Sequence, residues 1–318
     1  MTRILITGAS GFVGKNLYEY LHRKQHIIDA VVRDTNIGDK ELKGFVSNFF
    51  SYKNLPDFNN YDVIIHTAGK AHDLKNATND DEYYEVNTEL TKTVFDAFLA
   101  SNAKVFIALS SVKAVADKVA GELSEDEIPN PITHYGKSKL LAEQYILSKQ
   151  IPEGKRVYIL RPCMIHGPGN KGNLNLLYKL VSKGIPWPLG AFENKRSFCS
   201  IDNVCFIIKE LIEGEYIPSG VYNIADDEPL STNELIRLIA QSQNRKPRIW
   251  ELSPQLINSI SRLGDVFKLP LNSERLQKLT ETYVVNNSKI KKAIGKALPI
   301  SSKDGLLKTF QSFSTNAQ

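Results

Sequence analysis

Three glycines impose the strongest constraint on what this chain can become. Gly8, Gly11 and Gly14 follow the apolar run Ile4-Leu5-Ile6 and open the first helical pattern. A glycine-rich turn between a strand and a helix is where a backbone can approach a pyrophosphate. Gly8 allows the tight turn, Gly11 the close approach and Gly14 close helix–sheet packing, with the helix N-terminus turned toward negative charge. Ser10, Phe12 and Val13 complete the turn Thr7-Gly8-Ala9-Ser10-Gly11-Phe12-Val13-Gly14. Its GxxGxxG spacing is a variant of the GxGxxG fingerprint, and its place after the first strand points to dinucleotide binding.

The first half keeps up the same alternation. Strand-like runs at Arg3–Thr7, Ile27–Arg33, Val63–Thr67, Val105–Ser110 and Val157–Arg161 alternate with helical patterns near Gly14–Arg23, Asp80–Ser101 and Tyr135–Gln150. Near-continuous apolar runs separated by helices predict an α/β fold, a Rossmann-type doubly wound parallel sheet. After Pro162 the rhythm breaks into a loop, Gly167–Gly172, then helical patterns at Leu174–Lys183 and Asp202–Gly214. A short strand at Val221–Ile224 and a helix over Ser231–Ser242, capped by Ser231 or Thr232 with Glu234, come next. The expected organisation is a nucleotide-binding domain over residues 1–165, with 203–225 returning to it. A smaller α/β substrate-binding lobe would comprise 166–202 and 226–318.

Composition narrows the function classes. The net charge of +5 over 318 residues contains no run of five or six like charges, so nucleic acid is not an expected partner. No apolar stretch approaches the roughly 18 residues of a membrane span. The N-terminus enters a strand rather than a signal core, which points to a cytoplasmic protein. Cys163, Cys199 and Cys205 are widely spaced, without a CxxC or Cys/His cluster, and read as reduced packing residues rather than metal ligands.

Tyr135-Gly136-Lys137-Ser138-Lys139 places a phenol and an ammonium four residues apart, on one face if the segment is helical. A nearby cation favours phenolate and lowers a tyrosine pKa from about 10, which suits general acid–base work. At the end of the second strand stands Val31-Val32-Arg33-Asp34, where the adenosine ribose would lie. Arg33 would accommodate a 2′-phosphate and tilts the cofactor from NAD toward NADP; a one-residue shift of register brings Asp34 forward and reverses that choice.

With the glycine turn, Tyr135, Lys139 and Ser110-Ser111 after the Val105–Leu109 run, the chain resembles the extended short-chain dehydrogenase/reductase family. The likeness is strongest to nucleotide-sugar epimerases and reductases of the UDP-galactose 4-epimerase type. The resemblance implies that Tyr135 is the acid/base and that Lys139 lowers its pKa and holds the nicotinamide ribose. Ser111 would hydrogen-bond the substrate oxygen, with Ser110 beside it. Thr67, Ala68 and Gly69 would line the cofactor, and Asn87 would support the helix and proton relay. On the substrate side it implies Asn173 at the UDP, Arg196 on the diphosphate and Leu189 with Gly190 at the uracil. The family's Arg-x-x-Asp pair is missing at Leu276-Gln277-Lys278-Leu279, so Arg275 or Lys278 would substitute.

The implied activity is an NAD(P)-dependent 4-epimerase of a UDP-hexose or UDP-N-acetylhexosamine, acting through a transient 4-keto sugar. The alternative is an NADPH-dependent 4-reductase of a UDP-4-keto-6-deoxy sugar, which Arg33 favours. A remoter alternative is a non-catalytic NADP-binding regulator, which would ordinarily have lost Tyr135 or Lys139. Dehydratases carry an acid–glutamate pair after the serine, whereas this chain has Val112-Lys113. The family also implies a homodimer formed through two helices of the nucleotide domain.

Overall fold

The apolar runs of the first half assemble one parallel sheet. The computed structural model of the chain describes residues 1–34, 44–70, 79–170, 172–268 and 272–315. In chain order the strands are β1 (Arg3–Thr7), β2 (Ile27–Val32), β3 (Phe49–Ser51), β4 (Val63–His66), β5 (Val105–Leu109), β6 (Glu122–Leu123), β7 (Arg156–Pro162), β8 (Met164–His166), β9 (Phe198–Ser200), β10 (Gly220–Ile224) and β11 (Val284–Val285). Seven of them form a sheet in the order β10-β7-β5-β4-β1-β2-β3. Chain direction across the sheet reverses between β1 and β4, the switch point where an open α/β sheet offers a ligand crevice.

Register brings the site loops together. Thr7 pairs with His66, His66 with Ala108 and Leu109 with Leu160. The segments after β1, β4, β5 and β7 therefore leave the sheet at one carboxyl edge. Both faces of the sheet are covered. Leu17 and Leu21 of the helix Phe12–His22 share a core with Ile207, Ile208 and Leu211 of the helix Ile201–Glu213. Phe95, Phe98, Phe106 and Ile146 fill the other face.

Two features depart from the sequence expectation. The strand β3, Phe-Phe-Ser, is too short to show a period. The helical pattern Asp80–Ser101 is Asp80–Tyr84 and Leu90–Leu99 joined through a π-turn at Glu85–Glu89. Single π-turns inside helices recur at functional sites because the extra residue re-aims a side chain. Asn87 lies within this turn, fully buried.

Beyond the sheet, Leu174, Leu235, Ile239, Leu306 and Phe310 form one apolar cluster, and Trp187, Leu189, Ile236, Ile257 and Leu276 another. The helix Thr232–Ser242 starts with the expected cap: Ser231 Oγ accepts from Glu234 N, while Glu234 accepts from Ser231 N at 2.8 Å. The irregular helical pattern that follows resolves into helices Pro254–Phe267, Ser273–Thr280, Ser288–Ile294 and Ser302–Thr315.

Candidate active site

The glycine turn is built to exclude side chains. Gly8 has φ +74°, and a Cβ there would lie 2.5 Å from Ala68 N. A Cβ on Gly14 would lie 2.5 Å from Gly8 O and 2.7 Å from Ala9 Cα. Gly11 caps the helix Phe12–His22 without a side-chain bond, so its leading N–H groups are left for an anion. These features fit a dinucleotide pyrophosphate. Gly8 N donates to the hydroxyl of Tyr52 at 2.8 Å, a contact with no sequence signal. Arg33 and Asp34 are both exposed immediately after β2; burial raises the Tyr52 phenol pKa, opposed by the Gly8 hydrogen bond and by the charge of Arg33.

The loop after β4 is fastened to the loop after β1 and to the helix His134–Leu147. Thr67 Oγ1 donates to Thr7 O at 2.7 Å. Asn87 accepts from Lys70 N at 2.8 Å and donates to Ser138 Oγ at 3.0 Å. Ser138 in turn donates to Tyr135 O at 2.9 Å. A Cβ on Gly69 would meet Lys139 Nζ at 2.8 Å and Asn87 Oδ1 at 3.1 Å. Thr67, Ala68, Gly69, Asn87 and Lys139 thus share one neighbourhood.

The helix carrying Tyr135 is capped by Thr133, whose hydroxyl accepts from Gly136 N at 3.2 Å. Any side chain on Gly136 would run into the carbonyl of Lys113, so the helix lies directly against the serine loop. Tyr135 is half-buried, with the ring of Tyr83 at 6.2 Å in an edge-on arrangement. Burial raises the phenol pKa, opposed by a hydrogen bond from Ser111. The lowering of that pKa by Lys139, implied by the spacing, does not emerge: burial wins, and Ser111 rather than the ammonium opposes it. Lys139 itself is pushed down to about 8 by burial, with Glu143 acting in the other direction.

The two serines part company. Ser110 is buried and donates to Glu143, which also receives Arg161 through Nη2 at 2.6 Å. Ser110 thereby braces the end of β5 against the helix His134–Leu147. Ser111 caps the turn Val112–Ala114 and lines a cavity of about 370 Å³.

That cavity gathers Ser111, Lys113, Tyr135, Asn173, Arg196 and Glu281. Asn173 is the first residue of its helix and the cap is Gly172, leaving the amide exposed to the cavity. Arg196 Nη2 pairs with Glu281 Oε1 at 2.7 Å. Lys113 lies 4.3 Å over the ring of Tyr283 and donates to Asp117 O at 2.9 Å. Burial lowers its pKa, partly offset by Asp117 and Glu281. Glu281, Tyr283 and Tyr52 were missed from sequence because they reach the site from distant segments. Lys113 had a signal, its place two residues after Ser111. A larger depression of about 890 Å³, lined by Tyr178, Arg245 and Phe313 among others, contains none of Ser111, Tyr135 or Lys139.

The sequence matches the description "NAD dependent epimerase/dehydratase family" over residues 4–225. The chain belongs to that family. A UDP-glucose 4-epimerase of Vibrio cholerae is 33% identical over 98% of this chain and 95% of its own length. An N-acetyl-alpha-D-glucosaminyl-diphospho-ditrans,octacis-undecaprenol 4-epimerase of Escherichia coli O157:H7 is 28% identical over 97% and 94%. Among solved structures, UDP-N-acetylglucosamine 4-epimerase from Bacillus cereus has the same fold, with TM-score 0.76 and 19% identity over 99% of this chain and all of its own.

Two substrate residues implied by the likeness to this epimerase/dehydratase family lie elsewhere. Leu189 is 3% exposed and packs with Trp187, Ile236 and Ile257 in the core of the C-terminal half. Arg275 is exposed on the helix Ser273–Thr280 and is not part of the cavity lining. Ser10 and Phe12 border a separate cavity of about 530 Å³ with Lys15 and Pro168, while Val13 packs against the main core.

Proposed function

We propose that this chain is an NAD(P)-dependent 4-epimerase acting on a UDP-hexose or UDP-N-acetylhexosamine. The observation that carries this reading is the single cavity shared by Ser111, Tyr135, Asn173 and Arg196, beside the carboxyl edge that holds the glycine turn. The Gly8–Gly14 turn would hold the pyrophosphate, Thr67–Gly69 and Lys139 the nicotinamide side, and Arg33 or Asp34 the adenosine ribose. The bound cofactor supplies hydride chemistry at the sugar carbon.

Tyr135 gives and takes the proton of the sugar hydroxyl. Burial keeps its phenol protonated at neutral pH, and the Ser111 hydrogen bond eases formation of the phenolate when the proton leaves. Lys139, with its pKa near 8, carries a positive charge at neutral pH on the cofactor side. Arg196 presents a planar fork suited to a diphosphate once Glu281 yields it. Two relatives bearing the name 4-epimerase support this reading.

The second reading is a single reduction of a UDP-4-keto-6-deoxy sugar by exchangeable NADPH, favoured by Arg33 at the end of β2. The cofactor released on denaturing the purified protein tests the choice. Near-stoichiometric NAD supports the epimerase; an empty site that takes up NADPH in preference to NADH supports the reductase.

A further inference from the structure

We propose that Trp250 and the outer face of the helix Pro254–Phe267 form a docking surface for an anionic lipid membrane. This helix begins at Ser253, whose hydroxyl accepts from Leu256 N, with Pro254 in its first turn. Ile257, Ser261 and Gly264 are its buried side, and Ile257 joins the cluster of Trp187, Ile236 and Leu276. Leu256, Ile260, Leu263 and Phe267 repeat at i, i+4, i+7 and i+11, a single stripe on the solvent side. Leu263 is 55% exposed, Phe267 69% and the neighbouring Val266 73%, while Trp250 just before the helix is 56% exposed.

Exposed large apolar side chains on a soluble protein are ordinarily scattered singly; a contiguous stripe marks a surface that something covers. The charges around it say what. Arg245, Lys246, Arg248, Arg262 and Lys268 are all exposed and outnumber the exposed carboxylates of the same stretch, Glu251 and Asp265. Among the described residues, none of these five pairs with a carboxylate. Arg245 and Arg248 donate instead to the carbonyls of Ser182 and Gly184. A short amphipathic helix with Trp, Phe and Leu on one side and an excess of Lys and Arg around it matches the headgroup region of an anionic bilayer.

A second copy of the chain fits less well, because a two-fold interface would set this cationic rim against itself. The helix has 14 residues, and among the described residues no helix is long and apolar enough to cross a membrane. It would therefore lie on the surface.

Cosedimentation of the full chain with vesicles tests the proposal. Wild-type protein is expected to pellet with phosphatidylcholine vesicles containing phosphatidylglycerol, about tenfold more weakly with pure phosphatidylcholine, and less as salt rises. A Leu263→Asp/Val266→Asp variant should lose binding about tenfold at an unchanged thermal midpoint, since both side chains are exposed. A Lys246→Glu/Arg262→Glu variant should lose the preference for anionic vesicles. The proposal is overturned if wild-type protein stays in the supernatant with anionic vesicles, or if the Asp variant still pellets. It is equally overturned if that variant instead converts a stable dimer to monomer while wild-type protein ignores vesicles.

Discussion

The ammonium of Lys139 donates to the carbonyl oxygen of Leu109 at 3.0 Å, fastening the helix His134–Leu147 to the end of β5. Leu109 is followed directly by Ser110 and Ser111. One turn further along the helix, Glu143 receives both Ser110 and Arg161. Two helix residues thereby set where the serine loop stands relative to Tyr135.

Lys139 should define the alkaline limb of activity. Its pKa is lowered by burial from 10.5 to about 8, so the charged form prevails below that value and is lost above it. The Tyr135 phenol is shifted upward and cannot supply a limb there. The ratio kcat/KM should fall as pH rises through about 8, and Lys139→Met should flatten that limb while lowering the rate at pH 7. A limb that persists unchanged in Lys139→Met would assign it to another group.

Tyr135→Phe removes the hydroxyl proposed to carry the proton and leaves the ring in its place against Tyr83. Loss of a general acid/base costs on the order of 10²–10⁴-fold in rate. Turnover should drop within that range while cofactor affinity, measured by fluorescence titration, changes little. Retained turnover would rule Tyr135 out as the acid/base.

Glu281 competes with any anion for Arg196. Glu281→Gln should free the guanidinium and lower KM for the UDP-sugar severalfold with kcat nearly unchanged. A raised KM in steady-state assays would mean that Glu281 holds Arg196 in its working position.

His66 couples stability to acid. It is fully buried between Thr7 Oγ1 at 2.7 Å and Thr91 Oγ1 at 3.0 Å, and burial lowers its pKa to about 3. The unfolded chain takes up this proton below about 6.5 and the folded chain does not. Stability should therefore fall as pH drops from about 6.5 toward 3, by at most about 1.4 kcal/mol per pH unit from this group. Denaturant midpoints of His66→Asn across pH 4–7 should show a shallower decline than wild type.

The sheet and the shared helix of Tyr135 and Lys139 were legible because local chemistry dictates them. β1 shows as an apolar run, the glycine turn follows it directly, and Tyr135 and Lys139 sit one helical turn apart. The cavity's far side was not legible. Arg196 meets Glu281, and Lys113 meets Tyr283, through pairings of residues more than 80 positions apart, which no local pattern encodes. The packing of Leu189 was not legible for the same reason: an apolar residue suits a base-binding wall or a core equally, and its cluster with Trp187 draws in Ile236 from a distant segment. The π-turn at Asn87 was hidden because one extra residue leaves a helical period nearly unchanged.

The most direct test of 4-epimerisation is incubation of the purified protein with UDP-glucose and with UDP-N-acetylglucosamine, followed by chromatographic separation of the sugars. The expected result is the galacto epimer of at least one, at equilibrium and without net consumption of NADH or NADPH. No epimer from either sugar, together with one NADPH consumed per UDP-4-keto-6-deoxy sugar reduced, would contradict it.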